Sequence, residues 1–224
     1  MKKLLLAATA AAAFAVAPAN AATFLVSGGT NQAVPTNNDF KSKLALLGLN
    51  AELVGAKVDL SGGATIMFEF LGSESYFYDS FVFDGSTLYT DNSTGVIDQF
   101  AAPINLGSSF YNPVGAFLAS FTSNGIAGGA LPANALGGSA GFSVFVADGS
   151  VTSLNSGVIY FGYDDIPDSA PGNPLSDDNH DDIIIRATIM PVPEPTTWAL
   201  MVAGIAAVGV SMRRRSQNVR VSFS

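Results

Sequence analysis

The sequence contains no cysteine, and this absence removes several kinds of chemistry at once. Without thiols the chain can form no disulfide, no thiolate metal site and no cysteine nucleophile. If the protein is exported, its core must therefore be stable without covalent cross-links.

Charge is also scarce, and what there is has mostly one sign. Charged residues make up 12% of the 224 residues, and the formal net charge is -8. Proteins bind nucleic-acid phosphates through Lys and Arg, so this acidic chain is not expected to have a nucleic-acid partner. The 23 glycines and 16 phenylalanines fit a β-rich exported domain better than a helical cytosolic one.

Residues 1–21 have the three parts of a secretory signal peptide. Lys2 and Lys3 supply the positive start, residues 4–17 are apolar, and Ala19 and Ala21 form an A-x-A cleavage site. The export translocon and signal peptidase are therefore predicted partners, with cleavage after Ala21. An uncleaved anchor is the alternative, but the apolar run is short for a spanning helix.

A second apolar segment lies near the C-terminus. Residues 196–212 carry no charge and approach the lower limit of about 17 residues for crossing a hydrocarbon core. Trp198 occupies an interfacial position, and a basic cluster ends the segment. That cluster consists of Arg213, Arg214 and Arg215. We predict a transmembrane helix at 196–212, with the domain outside the inner membrane and a cytoplasmic tail at 217–224.

The residues before and within this segment form a recognisable motif. Pro193, Glu194, Pro195 and Trp198 occur in "PEPTTWAL", ahead of the apolar run and the arginines. The arrangement across 191–216 resembles the bacterial PEP-CTERM sorting signal, an element also labelled ice-binding protein C-terminal domain. The resemblance implies that an exosortase cuts near Pro-Glu-Pro and passes the ectodomain to the cell surface or the medium. A permanent single-span anchor is the alternative.

One short helix is predicted near the start of the ectodomain, in "NNDFKSKLALLGL". Asn38 or Asp39 can cap its first turn, and Gly48 can end it. The residues spaced for one buried face are Phe40, Leu44 and Leu47.

The rest of the ectodomain, 22–190, has the pattern of strands. Segments such as "ATIMFEFLG" and "SGVIYFGYDD" are short, β-branched or aromatic, and bounded by turn residues. Asp84-Gly85 and Asp148-Gly149 predict hairpin turns, and residues 125–141 predict a long loop. We predict an all-β, antiparallel, jelly-roll-like β-sandwich. Its candidate core residues are Phe68, Phe70, Phe81, Phe83, Phe142 and Val144.

The segment "FYDSFVF", 77–83, contains an F-x-D-x-F pattern. It resembles a short signature of one subgroup of PEP-CTERM proteins. Alternating aromatics are also what any half-buried strand shows, and a plain core strand is the preferred interpretation.

An acidic stretch between the last two predicted strands is the best candidate for chemistry. Calcium prefers six to eight oxygen ligands, which a loop of carboxylates and carbonyls can supply. The candidate ligands are Asp164, Asp165, Asp177, Asp178, Asn179, Asp181 and Asp182. We therefore hypothesise that calcium orders this loop; the alternative is a solvated acidic turn that keeps the chain soluble.

No catalytic arrangement stands out. Residues 137–141 fit G-x-S-x-G, and His180 follows, but a nucleophile elbow needs a strand before it and a helix after it. Here a Gly- and Ala-rich loop precedes the motif and a strand follows it. We predict that the protein is not an enzyme and that His180 is an exposed loop residue.

Together these patterns predict an exported cell-surface or extracellular-matrix protein with a structural or adhesive role. The alternative is a calcium-dependent carbohydrate-binding module whose ligand is exopolysaccharide, because sorting signals of this kind occur in bacteria that make it. A membrane-anchored precursor would precede the mature form.

Overall fold

The computed structural model describes residues 22–75, 77–91, 103–111, 115–123, 135–136, 141–165, 179–191 and 195–216. The chain divides into two compact units. Ala22–Met190 is the larger, and a helix at Pro195–Ser216 belongs to the other.

The larger unit is built mainly of short strands. They are β1 (Phe24–Ser27), β2 (Thr30–Ala33), β3 (Ala51–Val54), β4 (Lys57–Leu60), β5 (Ala64–Gly72), β6 (Asp79–Phe83), β7 (Ser86–Thr90), β8 (Ile104–Tyr111), β9 (Gly115–Ala116), β10 (Ala119–Ser123), β11 (Ala135–Leu136), β12 (Phe142–Val146), β13 (Ser153–Ser156), β14 (Val158–Tyr163) and β15 (Ile183–Ile189). Every pairing between them is antiparallel. The predicted all-β, antiparallel class is confirmed.

The strands form three sheets. The large sheet has the order β2-β3-β12-β14-β15-β5-β8, the β6 sheet has the order β11-β10-β6-β7, and the β1 sheet has the order β13-β1-β4-β9. Strands distant in the sequence are often neighbours, so much of the pairing depends on long-range contacts that local pattern does not specify.

Aromatic rings fill the space between the large sheet and the β6 sheet. The ring centroids of Phe68 on β5 and Phe81 on β6 are 5.2 Å apart, and Phe121 on β10 stacks on Tyr163 of β14 at 5.0 Å. Burying rings of this size is the main favourable term in such a core. The six predicted core residues are all buried, which confirms that prediction.

The predicted helix forms as α1 (Lys41–Leu46). The prediction that Asn38 or Asp39 caps the helix was wrong, because the helix begins later and Phe40 is the N-cap residue. Asn38 Oδ1 accepts a hydrogen bond from the Phe40 backbone N–H at 3.0 Å in the turn before the helix, and Phe40 and Leu44 are buried as predicted. The prediction for Leu47 was wrong, because this residue is 45% exposed. The helix ends one residue earlier, so the helical spacing no longer places Leu47 over the core.

One of the two predicted hairpins is confirmed and the other was wrong. Asp84 and Gly85, with φ of 47° and 74°, connect the paired strands β6 and β7 in a two-residue turn. At Asp148-Gly149 the chain instead leaves the large sheet, because the next strand, β13, pairs with β1. Asp148 Oδ1 accepts the Ser150 backbone N–H at 2.7 Å and shapes this crossing turn.

The prediction of a long loop at 125–141 needs one correction. Residues 135–136 form β11, which pairs with β10 at the edge of the β6 sheet. Even a two-residue strand can pair with β10 here, because the edge of a sheet presents unpaired backbone N–H and C=O groups. The remainder of 125–140 lies outside the described residues.

Candidate functional site

Three aspartates from distant parts of the chain meet inside the larger unit. Asp79 is the first residue of β6, Asp165 lies two residues beyond the end of β14, and Asp182 directly precedes β15. One carboxylate oxygen from each lies within 4.8 Å of the other two. We call these three residues the aspartate cluster. Because β6 belongs to one sheet and β14 and β15 to another, the cluster lies where the two sheets meet.

Strand alternation brings Asp79 into the interior. Successive side chains of a strand point to opposite faces, so Asp79 shares a face with Phe81 and Phe83. All three are buried, and Asp79 is 0% exposed. A carboxylate among phenylalanines loses its hydration, which is costly unless an opposite charge or hydrogen bonds compensate it.

The pairing of β14 with β15 brings the other two aspartates together. Tyr163 is opposite Ile183 in this register, so the residues just beyond each strand end are adjacent. The Asp182 backbone N–H donates to the Tyr163 carbonyl at 3.1 Å. The Asp165 backbone N–H donates to Asp182 Oδ2 at 2.6 Å and holds the two carboxyl groups close.

Within the part of the chain that the structure describes, few hydrogen bonds and no neighbouring base compensate the charge of the cluster. Ser75 Oγ donates to Asp165 Oδ2 at 2.9 Å. Among the described residues, neither carboxylate oxygen of Asp79 has a hydrogen-bond partner in good geometry, and the same holds for the buried Tyr163 hydroxyl. The bases Arg186 and His180 lie against glutamates elsewhere. The cluster therefore carries more negative potential than its protein partners neutralise.

The electrostatics of the cluster favour the protonated forms. Burial raises the pKa of Asp79 to about 6, although the nearby Ser75 and Ser123 hydroxyls partly offset this. Burial and the neighbouring Asp79 charge raise the pKa of Asp165 to about 8. Burial and the other carboxylates also raise the pKa of Asp182 well above its ordinary value. A positive charge between the three groups would allow them to ionise together at neutral pH.

Oxygen ligands of this kind suit a hard divalent cation. The cluster contains neither His nor Cys, the ligand types that predominate in structural zinc sites, so its donor set does not match zinc. Of the residues predicted from sequence as calcium ligands, Asp165 and Asp182 are in the cluster. Asp164 is buried beside it and contributes to the raised pKa of both. Asp177 and Asp178 lie outside the described residues.

The other two predicted ligands have a different place. The Asn38 side-chain amide donates to the Asn179 carbonyl at 2.7 Å, and the Asp39 backbone N–H donates to Asp181 Oδ2 at 2.7 Å. Asn179 and Asp181 thus fasten the segment before β15 to the turn that leads into α1. The structure does not bring them into the aspartate cluster.

The prediction that His180 is exposed was wrong. Its side chain is 3% exposed, and its Nδ1 lies 3.3 Å from Glu52 Oε2 on β3. His180 has a φ of 54°, in the left-handed region, so the backbone turns sharply at this residue. The turn directs His180 toward Glu52 while Asp182 reaches the cluster.

The C-terminal segment forms helix α2 (Pro195–Ser216), which includes the predicted span 196–212. Pro195 is its first residue, where a missing backbone N–H costs no helical hydrogen bond. Across the residues that the structure describes, no helix combines the length and the apolar character needed to cross a membrane. The span at 196–212 stays a prediction. The cleavage residues Ala19 and Ala21 and the motif residues Pro193 and Glu194 lie outside the described residues.

Comparison with known families decides what this segment is. Residues 191–215 match the model of the PEP-CTERM protein-sorting motif. The chain carries a PEP-CTERM sorting signal. Such a signal supports an exported protein that an exosortase processes, so the resemblance and the exosortase partner predicted from the sequence are confirmed.

No curated protein and no solved structure matches the chain. The PEP-CTERM signal therefore indicates how the protein is routed, and the activity of the ectodomain has to be argued from its own geometry. The described geometry points to the aspartate cluster.

Asp79 was not among the site residues predicted from the sequence, although its position in the strand carries a signal. In "FYDSFVF" the aspartate has the same parity as Phe77, Phe81 and Phe83, which places it on the face that the aromatics bury. An ionisable residue at an inward position of a strand is rare without a partner. That parity distinguishes Asp79 from the solvent-facing acidic residues of the chain.

Proposed function

We propose that the mature protein is a cell-surface or extracellular-matrix protein with a structural or adhesive role, delivered through an exosortase. The sorting motif at 191–215 carries this proposal. Such a signal places the mature domain on the outer side of the membrane, and that domain here is built of antiparallel β-sheets. The proposal includes cleavage of a signal peptide at 1–21 and a transient inner-membrane stage.

The ectodomain geometry supports binding in preference to catalysis. His180 lies against Glu52 in the interior, so its imidazole is not available to an outside substrate. The carboxyl groups of the aspartate cluster are likewise enclosed. An enzyme of the acid–base type needs such groups within reach of the proton that they move.

The intact mass of the protein recovered from its host tests the routing. We expect a product beginning at Ala22 and ending near Glu194 in cells with the exosortase, and a product retaining 196–224 in cells without it. Glu194→Ala should block the C-terminal cut. Gln217→Ala, just beyond the matched residues, is the matched control and should be processed normally. A mature mass that retains 196–224 in the presence of the exosortase would show a permanent anchor instead.

A carbohydrate-binding role is the second candidate, and one observation favours it. Tyr78 is 45% exposed next to the buried Asp79, and the exposed part of an aromatic ring can pack against a sugar. Because the cluster is buried, such contact would use the aromatic surface and not an ion shared with the sugar. We expect a glycan array to give the same signal with and without chelator, and Tyr78→Ala to reduce it. No signal in either condition leaves the structural role.

A further inference from the structure

We propose that Asp79, Asp165 and Asp182 bind one calcium ion that fastens the β6 sheet to the large sheet. Clusters of acidic residues are common, so proximity alone would not support a site. The decisive observation is Asp79, which is completely buried and reaches the other two carboxylates. The Ser75 and Ser123 hydroxyls are near it, but among the described residues neither carboxylate oxygen has a well-aligned hydrogen bond. A buried carboxyl group in that state has to hold a proton, a water molecule or a cation, and a cation is the one that all three aspartates can share.

A second buried group supports the same conclusion. The Tyr163 hydroxyl has no hydrogen-bond partner among the described residues, although native proteins satisfy nearly all buried hydroxyls. Its interaction with the charges of Asp79, Asp165 and Asp182 shows that it lies beside the cluster. When calcium keeps the carboxylates ionised, the hydroxyl can donate to one of their oxygens.

The spacing of the cluster suits calcium. Calcium–oxygen bonds are about 2.3–2.6 Å long, so two ligands of one ion lie at most about 5 Å apart. The three carboxylate oxygens lie within 4.8 Å of one another and satisfy that limit. The Ser75 hydroxyl, which already donates to Asp165, is the next oxygen near the site.

The enclosure of the site separates calcium from magnesium. Magnesium loses its water reluctantly and keeps several water molecules when proteins bind it. The three aspartates are buried, which leaves little room for such a hydration shell. Calcium accepts an irregular set of carboxylates and other oxygens, which fits side chains supplied by two different sheets.

The position of the ion defines its task. Asp79 begins β6, whereas Asp165 and Asp182 are at the ends of β14 and β15. One ion would thus connect the start of β6 to the paired ends of β14 and β15, which belong to a different sheet. In a chain without cysteine this cross-link takes the place that a disulfide would have. The proposal concerns the ectodomain alone and does not depend on the sorting route.

The experiment is a calcium titration of the full chain in mild detergent, followed by calorimetry and by thermal unfolding. We expect one calcium per chain, with a dissociation constant of about 10⁻⁴ to 10⁻³ M, as in extracellular calcium modules. At saturating calcium the Tm should rise by about 5 °C or more over the chelated protein. Magnesium at the same concentration should raise it much less.

Asp79→Asn keeps the size of the side chain but removes a charge, and it should weaken calcium binding at least tenfold. Asp59→Asn makes the same change on β4, outside the cluster, and should bind like the original chain. Asp182→Asn provides a second cluster variant, and circular dichroism verifies the fold of each.

Two results would overturn the proposal. One is a wild-type Tm that calcium leaves unchanged. The other is calcium binding of equal strength in folded Asp79→Asn, which would place the ion elsewhere in the chain. Equal stabilisation by magnesium would overturn the choice of calcium.

Discussion

The carboxyl group of Asp79 makes the stability of the calcium-free protein depend on pH. The pKa of Asp79 is about 6 and that of Asp165 about 8 in the folded protein, whereas both have an ordinary value of 3.8. The groups that face them are Asp91, Asp164, Asp182 and Tyr163. Burial and the charges of the neighbouring carboxylates favour the protonated states, and the Ser75 and Ser123 hydroxyls offset this only in part.

The sign of the pH effect follows from these raised values. Between 3.8 and about 8 the unfolded chain releases protons that the folded chain keeps, so stability is greatest below 3.8 and is lost as the pH rises through the folded values. We therefore expect the Tm in chelator to fall between pH 5 and pH 8, and calcium to remove most of that fall. The Asp79→Asn, Asp165→Asn double variant should show a smaller slope. A chelated Tm that rises over this range would contradict the raised pKa values.

The same position provides a test that distinguishes a cation ligand from an ordinary structural carboxylate. In chelator at pH 8, Asp79→Asn should raise the free energy of unfolding by about 1–2 kcal/mol, because it removes a buried charge without a base beside it. Urea unfolding measures the change. Asp59→Asn should stay within about 0.5 kcal/mol of the original chain. If Asp79→Asn destabilises the chelated protein strongly, the carboxylate supports the fold by itself.

At the scale of elements, the sequence pattern predicted the features that depend on neighbouring residues, namely the strands, their buried faces and one hairpin turn. Period-2 alternation identified the main strands and all six core residues. A two-residue hairpin of this kind has positive φ at both turn residues, and Asp84 and Gly85 have them. The failure at Asp148-Gly149 has a different origin. The partner of β13 is β1, far away in the sequence, and no turn residue specifies that choice.

The aspartate cluster shows the same limit. Asp165 and Asp182 were predicted as ligands because they are close in sequence, whereas Asn179 and Asp181, equally close, face the turn before α1. Asp79 joins the cluster only because β6 lies across from β14 and β15. Sheet packing therefore decides the membership of the site, and the sequence shows only which residues have suitable chemistry.

A close contact on β14 gives a prediction for the element that carries the cluster. A Cβ added at Gly162 would lie 2.1 Å from the His180 carbonyl oxygen, far inside van der Waals distance. Gly162→Ala should therefore push away the segment that holds Asp182, at a cost of about 1–3 kcal/mol in the free energy of unfolding.

Gly157→Ala is the matched control for that change. A Cβ there meets nothing within 4 Å, and Gly157 directly precedes the first residue of the same strand. Urea unfolding should show Gly157→Ala to be nearly neutral, and calorimetry should show weaker calcium binding only for Gly162→Ala. If Gly162→Ala proved as mild as Gly157→Ala, the segment at His180 would have moved aside without disturbing the cluster.

At the scale of the whole molecule, the signal that sorts the protein and the cluster proposed to stabilise it lie in different units. The sorting motif lies at 191–215, whereas the aspartate cluster belongs entirely to Ala22–Met190. Calcium is scarce in cytoplasm and plentiful outside cells, so an ion-dependent cross-link would strengthen the ectodomain only after export. Until then, a weaker fold helps the translocon, which threads unfolded chains.

This separation predicts that the two functions can be lost independently. Asp79→Asn protein should be cut at its C-terminus as efficiently as the original, because the exosortase recognises the other unit, yet calcium should no longer protect it from protease. Glu194→Ala protein should remain uncut but keep its calcium-dependent protection. Intact mass and the rate of proteolysis with and without chelator, measured on both variants from the host, test this. Loss of the C-terminal cut in Asp79→Asn would show instead that the exosortase acts only on chains whose ectodomain has already bound its ion.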